Sequence, residues 1–180
     1  IGQLVSDLIA QGIDVYFLDD GSTDGTMAAV EPFAGRGVIG LEQFAPPDAE
    51  STSFHWERIL RRKSELAAAL DGEWFIHHDA DEFRESPWRG LSLANGIRRV
   101  DALGYNAIDF ASFDFRPVDD LFRPGDDPRM AFQFYTPHAP YDRVQVRCWK
   151  KSDHPVDLAS SGGHEAKFTG RRVHRVVPRA

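Results

Sequence analysis

The chain has 180 residues, 42% of them hydrophobic, with one cysteine and 28 Asp plus Glu against 21 Lys plus Arg, a formal charge of −7. That length fits one domain with a real core. A lone cysteine excludes a disulfide framework and any multi-cysteine zinc site, and no apolar run approaches the roughly 20 residues that span a bilayer. The acidic balance argues against nucleic acid as the main partner, since phosphate backbones select basic surfaces, and leaves a small phosphorylated molecule open.

In chain order, residues 1–11 carry apolar side chains at helical spacing (Ile1, Leu4, Val5, Leu8, Ile9), and Gly12 is a usual stop. Ile13 to Leu18, β-branched and aromatic, reads as a buried strand. A turn-rich stretch from Asp19 to Thr26 leads into a short helix at about 24–34, and Val38 to Leu41 forms a second strand. A long helix is expected at about 54–70, with Trp56, Ile59, Leu60, Leu66, Ala67 and Leu70 on one stripe. Trp74 to His77 makes a third strand, and Ser86-Pro87 opens a helix at about 88–103.

Strands alternating with helices imply an α/β fold with a mostly parallel sheet, in which ligands bind beyond the carboxyl ends of the strands. The charge clusters after Leu18 and after His77 both sit at such ends and are expected to share one rim. Beyond residue 105 the pattern changes to strands at Ala107 to Phe115, Phe132 to Tyr135 and Val144 to Arg147, read as antiparallel additions around a Pro- and Asp-rich loop at 116–129. Residues 1–180 are therefore read as one domain. Its ends, at Ile1 inside a helical pattern and in Val-Val-Pro-Arg-Ala, are read as those of a piece of a longer protein. Cys148 reads as a buried thiol in a reducing compartment, which makes the expected location cytoplasmic, with membrane association through parts outside this piece as the alternative.

Two constellations carry chemistry. The first is Asp19-Asp20-Gly21-Ser22-Thr23-Asp24-Gly25-Thr26, whose adjacent carboxylates repel unless a ligand, a cation or hydrogen bonds compensate. Asp20, Ser22, Asp24, Gly25 and Glu31 also match the spacing of a twelve-residue calcium loop, but a strand rather than a helix leads into it. The second is His77-His78-Asp79-Ala80-Asp81-Glu82-Phe83. In an extended backbone Asp79 and Asp81 face one side, where two carboxylates suit Mg²⁺ or Mn²⁺. Glu82 is a supporting carboxylate, and His77 is expected in the core. Lys63 interrupts the apolar stripe of its helix, so it either snorkels to an edge or reaches an anion, with Arg62 as the neighbouring alternative.

Val15 to Thr26 and Trp74 to Phe83, in that order with a helix and a strand between, resemble the family 2 glycosyltransferases. The Asp-Ala-Asp-Glu-Phe form is most similar to the branch whose metal motif reads D-x-D-E-F. The likeness covers residues 1–105 well and 106–180 loosely. It implies a GT-A fold with a nucleotide-sugar-binding half (1–105) and an acceptor-side half (106–180). The family's opening strand with its Asn-Glu motif is absent, in keeping with a truncated amino end.

The resemblance implies a metal-dependent, inverting transfer of a sugar from a UDP-linked donor to an acceptor hydroxyl. Asp20 and Asp19 would hold the nucleoside, and Asp79 would sit near the ribose. Asp79 and Asp81 would hold Mn²⁺ or Mg²⁺, and Lys63 would reach the diphosphate. In Ser160-Ser161-Gly162-Gly163-His164-Glu165 the glycines permit close backbone approach to a ligand, and His164 would add an imidazole to the cation. Inversion needs a base, for which Glu165, Asp114 and Asp119 are candidates. For Trp149, Tyr135 and Phe113, core packing is expected over stacking on a sugar. A non-catalytic GT-A-like module binding a nucleotide or glycan is the main alternative, and a calcium-binding loop at Asp20 is the third. The basic residues after Glu165 (Lys167, Arg171, Arg172, Arg175 and Arg179) read either as a cover for a diphosphate or as a solvated tail.

Overall fold

The computed structural model describes residues 1–44, 56–123, 125–137 and 145–176. It is an α/β structure. Helix α1 (Gly2–Ala10) leads to strand β1 (Val15–Asp19), the short α2 (Thr26–Val30) with a 3-10 turn at Glu31–Phe33, and β2 (Val38–Gln43). Helix α3 (Trp56–Ala69), strand β3 (Trp74–Ile76), α4 (Leu93–Ala102) and β4 (Ala107–Asp109) follow. The second half contributes β5 (Phe113–Arg116), α5 (Pro128–Ala131), β6 (Phe134–Pro137), β7 (Val146–Lys150) and β8 (Val173–Arg175). Residues 54–55 of the expected long helix, Val144 and Arg179 lie outside the described residues.

The strands form three small sheets: β1 and β2 pair in parallel, β5 and β6 antiparallel, and the largest sheet has the order β3-β7-β4-β8. Strand β7 runs antiparallel to both β3 and β4, while β8 is parallel to β4. The pairing is thus mixed and mainly antiparallel, where the sequence pattern implies a mostly parallel sheet. The difference arises because β7, late in the chain, inserts between β3 and β4 instead of adding at an edge.

Side-chain alternation along β7 divides the core. Cys148 faces Leu4 and Leu8 of α1, Leu93, Ile97 and Val100 of α4, and Ile108. Trp149 faces the other way, onto Leu60 and Ala67 of α3 with Leu158 and Ala166. The main sheet is therefore covered on both faces, as an α/β layer arrangement requires. A smaller cluster of Val5, Val30 and Val38 seats α1 and α2 on the β1–β2 pair. Helix α3 reaches that pair through Arg62, whose guanidinium donates to both Glu42 oxygens at 2.9 and 3.0 Å while the Tyr16 hydroxyl donates to the same carboxylate at 2.9 Å.

Helix α4 begins at Leu93 rather than near Trp88. The Ser92 hydroxyl accepts from the Asn95 amide, and Gly90, at φ 80°, turns the chain ahead of it. Ser86 instead caps a local turn through the Trp88 amide. The expected strand at 107–115 is two strands in different sheets, broken between Asp109 and Phe113. Among the described residues, part of the basic end is built into the fold. Arg171 binds the Ala166 carbonyl at 2.7 Å, Arg175 donates to the buried Asp109 carboxylate at 2.9 Å, and β8 completes the sheet. Among the described residues no helix is long and apolar enough to cross a membrane.

Candidate functional site

Both carboxylate clusters follow strand ends, and α3 connects them. After β1, the buried Asp19 carboxylate accepts the Gly21 and Ser22 amides at 3.1 and 3.0 Å, closing a tight turn. Asp20 pairs with Arg58 of α3 at 3.2 Å, and that guanidinium lies 3.7 Å from the centre of the Phe44 ring. Asp24 accepts from the Thr26 amide and hydroxyl ahead of α2. The carboxylates with calcium-loop spacing are thus engaged separately, after a strand. Five residues along α3 from Arg58, about 8 Å at 1.5 Å per residue, Lys63 donates toward His77 Nδ1 at 3.1 Å and to the His78 carbonyl at 3.2 Å. The polar break in the apolar stripe reaches the second cluster and does not snorkel outward.

The second cluster is built around a β-bulge. On β7, Cys148 faces Ile108 but Val146 faces Asp109, so Arg147 is the extra residue in the ladder. Bulges re-aim side chains and recur beside functional sites. Arg147 Nη1 bonds Asp79 and lies 3.1 Å from Glu82, and Nη2 lies 3.2 Å from His164 Nδ1. The side chain is only 5% exposed, against 42% for Asp79. Arg84, also buried, pairs with Glu82 and donates to the His77 carbonyl at 3.0 Å.

These contacts fix the imidazoles. Lys63 has only protons to offer His77 Nδ1, so the ring proton sits on Nε2, 3.5 Å from Asp79 Oδ1. Burial, then the Lys63 charge, pushes the His77 pKa well below its ordinary value and keeps the ring neutral. His78 is pushed down to about 4, by burial and then by Arg84. Its Nδ1 faces the Asp79 carbonyl at 2.7 Å, while Nε2 is buried without a partner among the described residues. Burial also lowers Lys63. Burial raises the Asp79 carboxyl, but the Arg147 guanidinium that bonds it, together with Lys63, outweighs burial and holds the group below the usual range. His164 Nδ1 faces two donors, Arg147 and the Gln145 amide at 3.4 Å, so it too acts as an acceptor.

Asp79 and Asp81 do not converge. The chain turns at Ala80 and Asp81, leaving Asp81 exposed, so the extended-backbone premise is not met. Asp79, Glu82 and His164 instead converge on a guanidinium. Among the described residues no group of three or more His, Cys, Asp and Glu side chains is arranged to hold a metal ion. The Asp79, Asp81 and His164 set does not fit Mn²⁺ or Mg²⁺ in this arrangement.

Gly162 and Gly163 adopt φ 63° and 85°, and the close approach Gly163 permits is to His77 and Leu60 of this chain. Glu165, beside His164, is held by Arg171. Asp114 lies on β5, and Asp119 accepts the Leu121 amide in the loop after it. Trp149 is buried and stacks on Phe75, as core packing requires. Phe113 and Tyr135 are exposed instead, meeting edge to face on the β5–β6 hairpin, with Tyr135 55% accessible. Two strands alone make no second layer to bury them.

Arg147, Arg84 and Gln145 were not singled out by sequence reasoning. The available signal was an arginine inside an otherwise apolar Val-Arg-Cys-Trp strand. Compared with known proteins, the chain matches no family model, no curated protein and no solved structure.

Proposed function

We propose that the chain is the GT-A-like domain of a glycosyltransferase that moves a sugar from a nucleotide donor, UDP-linked, to an acceptor hydroxyl. The observation supporting this reading is the bracketing of both carboxylate clusters by one helix. Arg58 is set on Asp20 after β1, and Lys63 on the segment after β3, about 8 Å further along. One helix thus sets a cation on each cluster, as a nucleoside at one and its phosphates at the other would require. Asp20 and the turn held by Asp19 take the nucleoside, and Asp79 lies toward the ribose. The bond from the anomeric carbon to the diphosphate breaks with its electrons on the leaving phosphate, so cationic groups placed where that charge develops accelerate the step. The resemblance assigns this task to Mn²⁺ or Mg²⁺, and the chain's own cations beside Asp79 are Lys63 and Arg147.

For inversion, the attacking hydroxyl gives its proton to a base, for which Glu165 and Asp114 are the candidates. The pairing of Glu165 with Arg171 favours a second reading, a module that binds the nucleotide without turnover. Assay of UDP release from UDP-linked hexoses, with and without added sugar acceptors, separates the two. Release that is lost in Asp79→Asn supports the transferase. Tight UDP binding with no release from any donor supports the module.

A further inference from the structure

The position where the resemblance places a metal is taken in this chain by a side chain. Asp79 and Glu82 offer oxygens and His164 a nitrogen, and all three meet the guanidinium of Arg147. The bulge that singles out Arg147 also fixes it from both sides. The His77 amide donates to the Arg147 carbonyl at 2.8 Å, and the Ala166 amide donates to the Val146 carbonyl at 2.7 Å, bringing the His164 loop against β7. A divalent ion binding Asp79 and His164 must therefore separate a buried cation from its carboxylate, which costs several kcal/mol.

A guanidinium stays charged at any working pH and matches phosphate oxygens with its fork of donors. In the cluster three basic side chains (Lys63, Arg84, Arg147) face two carboxylates (Asp79, Glu82), while the exposed Asp81 is screened by water. These five side chains carry one net positive charge, and Asp79 is more exposed than the Arg147 it holds. Arg147 Nε is buried with no partner among the described residues.

We infer that Arg147 is the built-in cation of this site, and that a nucleoside diphosphate binds here without a divalent metal. The inference rests on the transferase reading only for the identity of the ligand.

Calorimetric titration of UDP into the chain, in EDTA and in excess Mn²⁺, tests it on the native protein. The expected dissociation constants agree within about twofold, far less than the 1.4 kcal/mol of a tenfold change. Arg147→Met is expected to weaken UDP by about tenfold or more and Arg147→Lys by less, in keeping with the loss of a charge-assisted pair. Thermal unfolding of each variant confirms that it folds, and the EDTA comparison needs no variant. UDP binding that requires Mn²⁺, or undiminished binding to a folded Arg147→Met, overturns the inference and leaves the transferase reading standing. No binding of UDP in either condition removes both.

Discussion

Gly163→Ala is the substitution that probes the candidate site's construction most sharply. Gly163 sits at φ 85°, and a Cβ there would lie 2.5 Å from His77 Nε2 and 3.1 Å from Leu60 Cδ2. The left-handed backbone alone costs a non-glycine residue about 1–2 kcal/mol. Pushing His77 and Leu60 aside in a filled core adds about 1–3 kcal/mol. The stiffer unfolded chain of alanine returns about 0.4–1 kcal/mol. The net expectation is a loss of about 1–5 kcal/mol, together with a displaced His77 ring that no longer faces Asp79. Gly170→Ala is the control. It shares the backbone conformation, at φ 74°, but a Cβ there meets nothing within 4 Å. Urea unfolding of both variants isolates the packing cost as their difference, expected at about 1–3 kcal/mol. Equal destabilisation, within about 0.5 kcal/mol, would refute the close approach of the His164 loop to His77.

Three further outcomes are expected. Glu42 is held below the ordinary carboxylate value chiefly by its Arg62 bonds, so its contribution is present above that value and lost as pH falls through the lowered one. Urea midpoints from neutral pH into the acid range should show Glu42→Gln less stable by about 1 kcal/mol near pH 7, with the gap closing on acidification; a gap that widens in acid contradicts the sign. His77, kept neutral by burial and Lys63, should show the ¹⁵N pattern of an Nε2–H tautomer throughout about pH 5 to 8, and a titration centred near 6.5 would contradict the network. Burial pushes the Cys148 thiol far above its usual value, so it should resist thiol reagents in the native state and react only on unfolding. Rapid labelling of native protein would show that β7 is not central.

The sequence signals that hold are those carried by local periodicity. The stripe from Trp56 to Leu70 becomes helix α3, burying Leu60 and Ala67 but leaving Trp56 exposed, and the Ile13 to Leu18 and Trp74 to His77 runs become the shorter strands Val15–Asp19 and Trp74–Ile76. His77 is in the core, as expected, at the end of the half-buried strand β3. What local pattern cannot convey is where a distant strand inserts. Val146 to Lys150 has the same alternation whether it lies at an edge or, as here, between β3 and β4. A bulge also defeats period-two reasoning: Arg147 is the extra residue of the ladder, and its guanidinium bonds Asp79. The Asp79 and Asp81 pairing fails for a related reason, because same-side geometry holds only while the backbone stays extended, and it turns at Ala80. Phe113 and Tyr135 show the limit of composition, since aromatic residues imply burial only where a second layer exists to cover them.

The central claim is that a nucleoside diphosphate occupies the cluster between α3, β3 and the bulge of β7. Titrating UDP into histidine-labelled protein and following the ring ¹⁵N signals tests it with internal controls. His77 and His164 line the cluster, whereas His154 is exposed near Ser152 and His174 stacks on Trp88. The account predicts that the His77 and His164 signals move together along one binding curve while those of His154 and His174 stay in place. Saturating UDP that leaves His77 and His164 unmoved would contradict it.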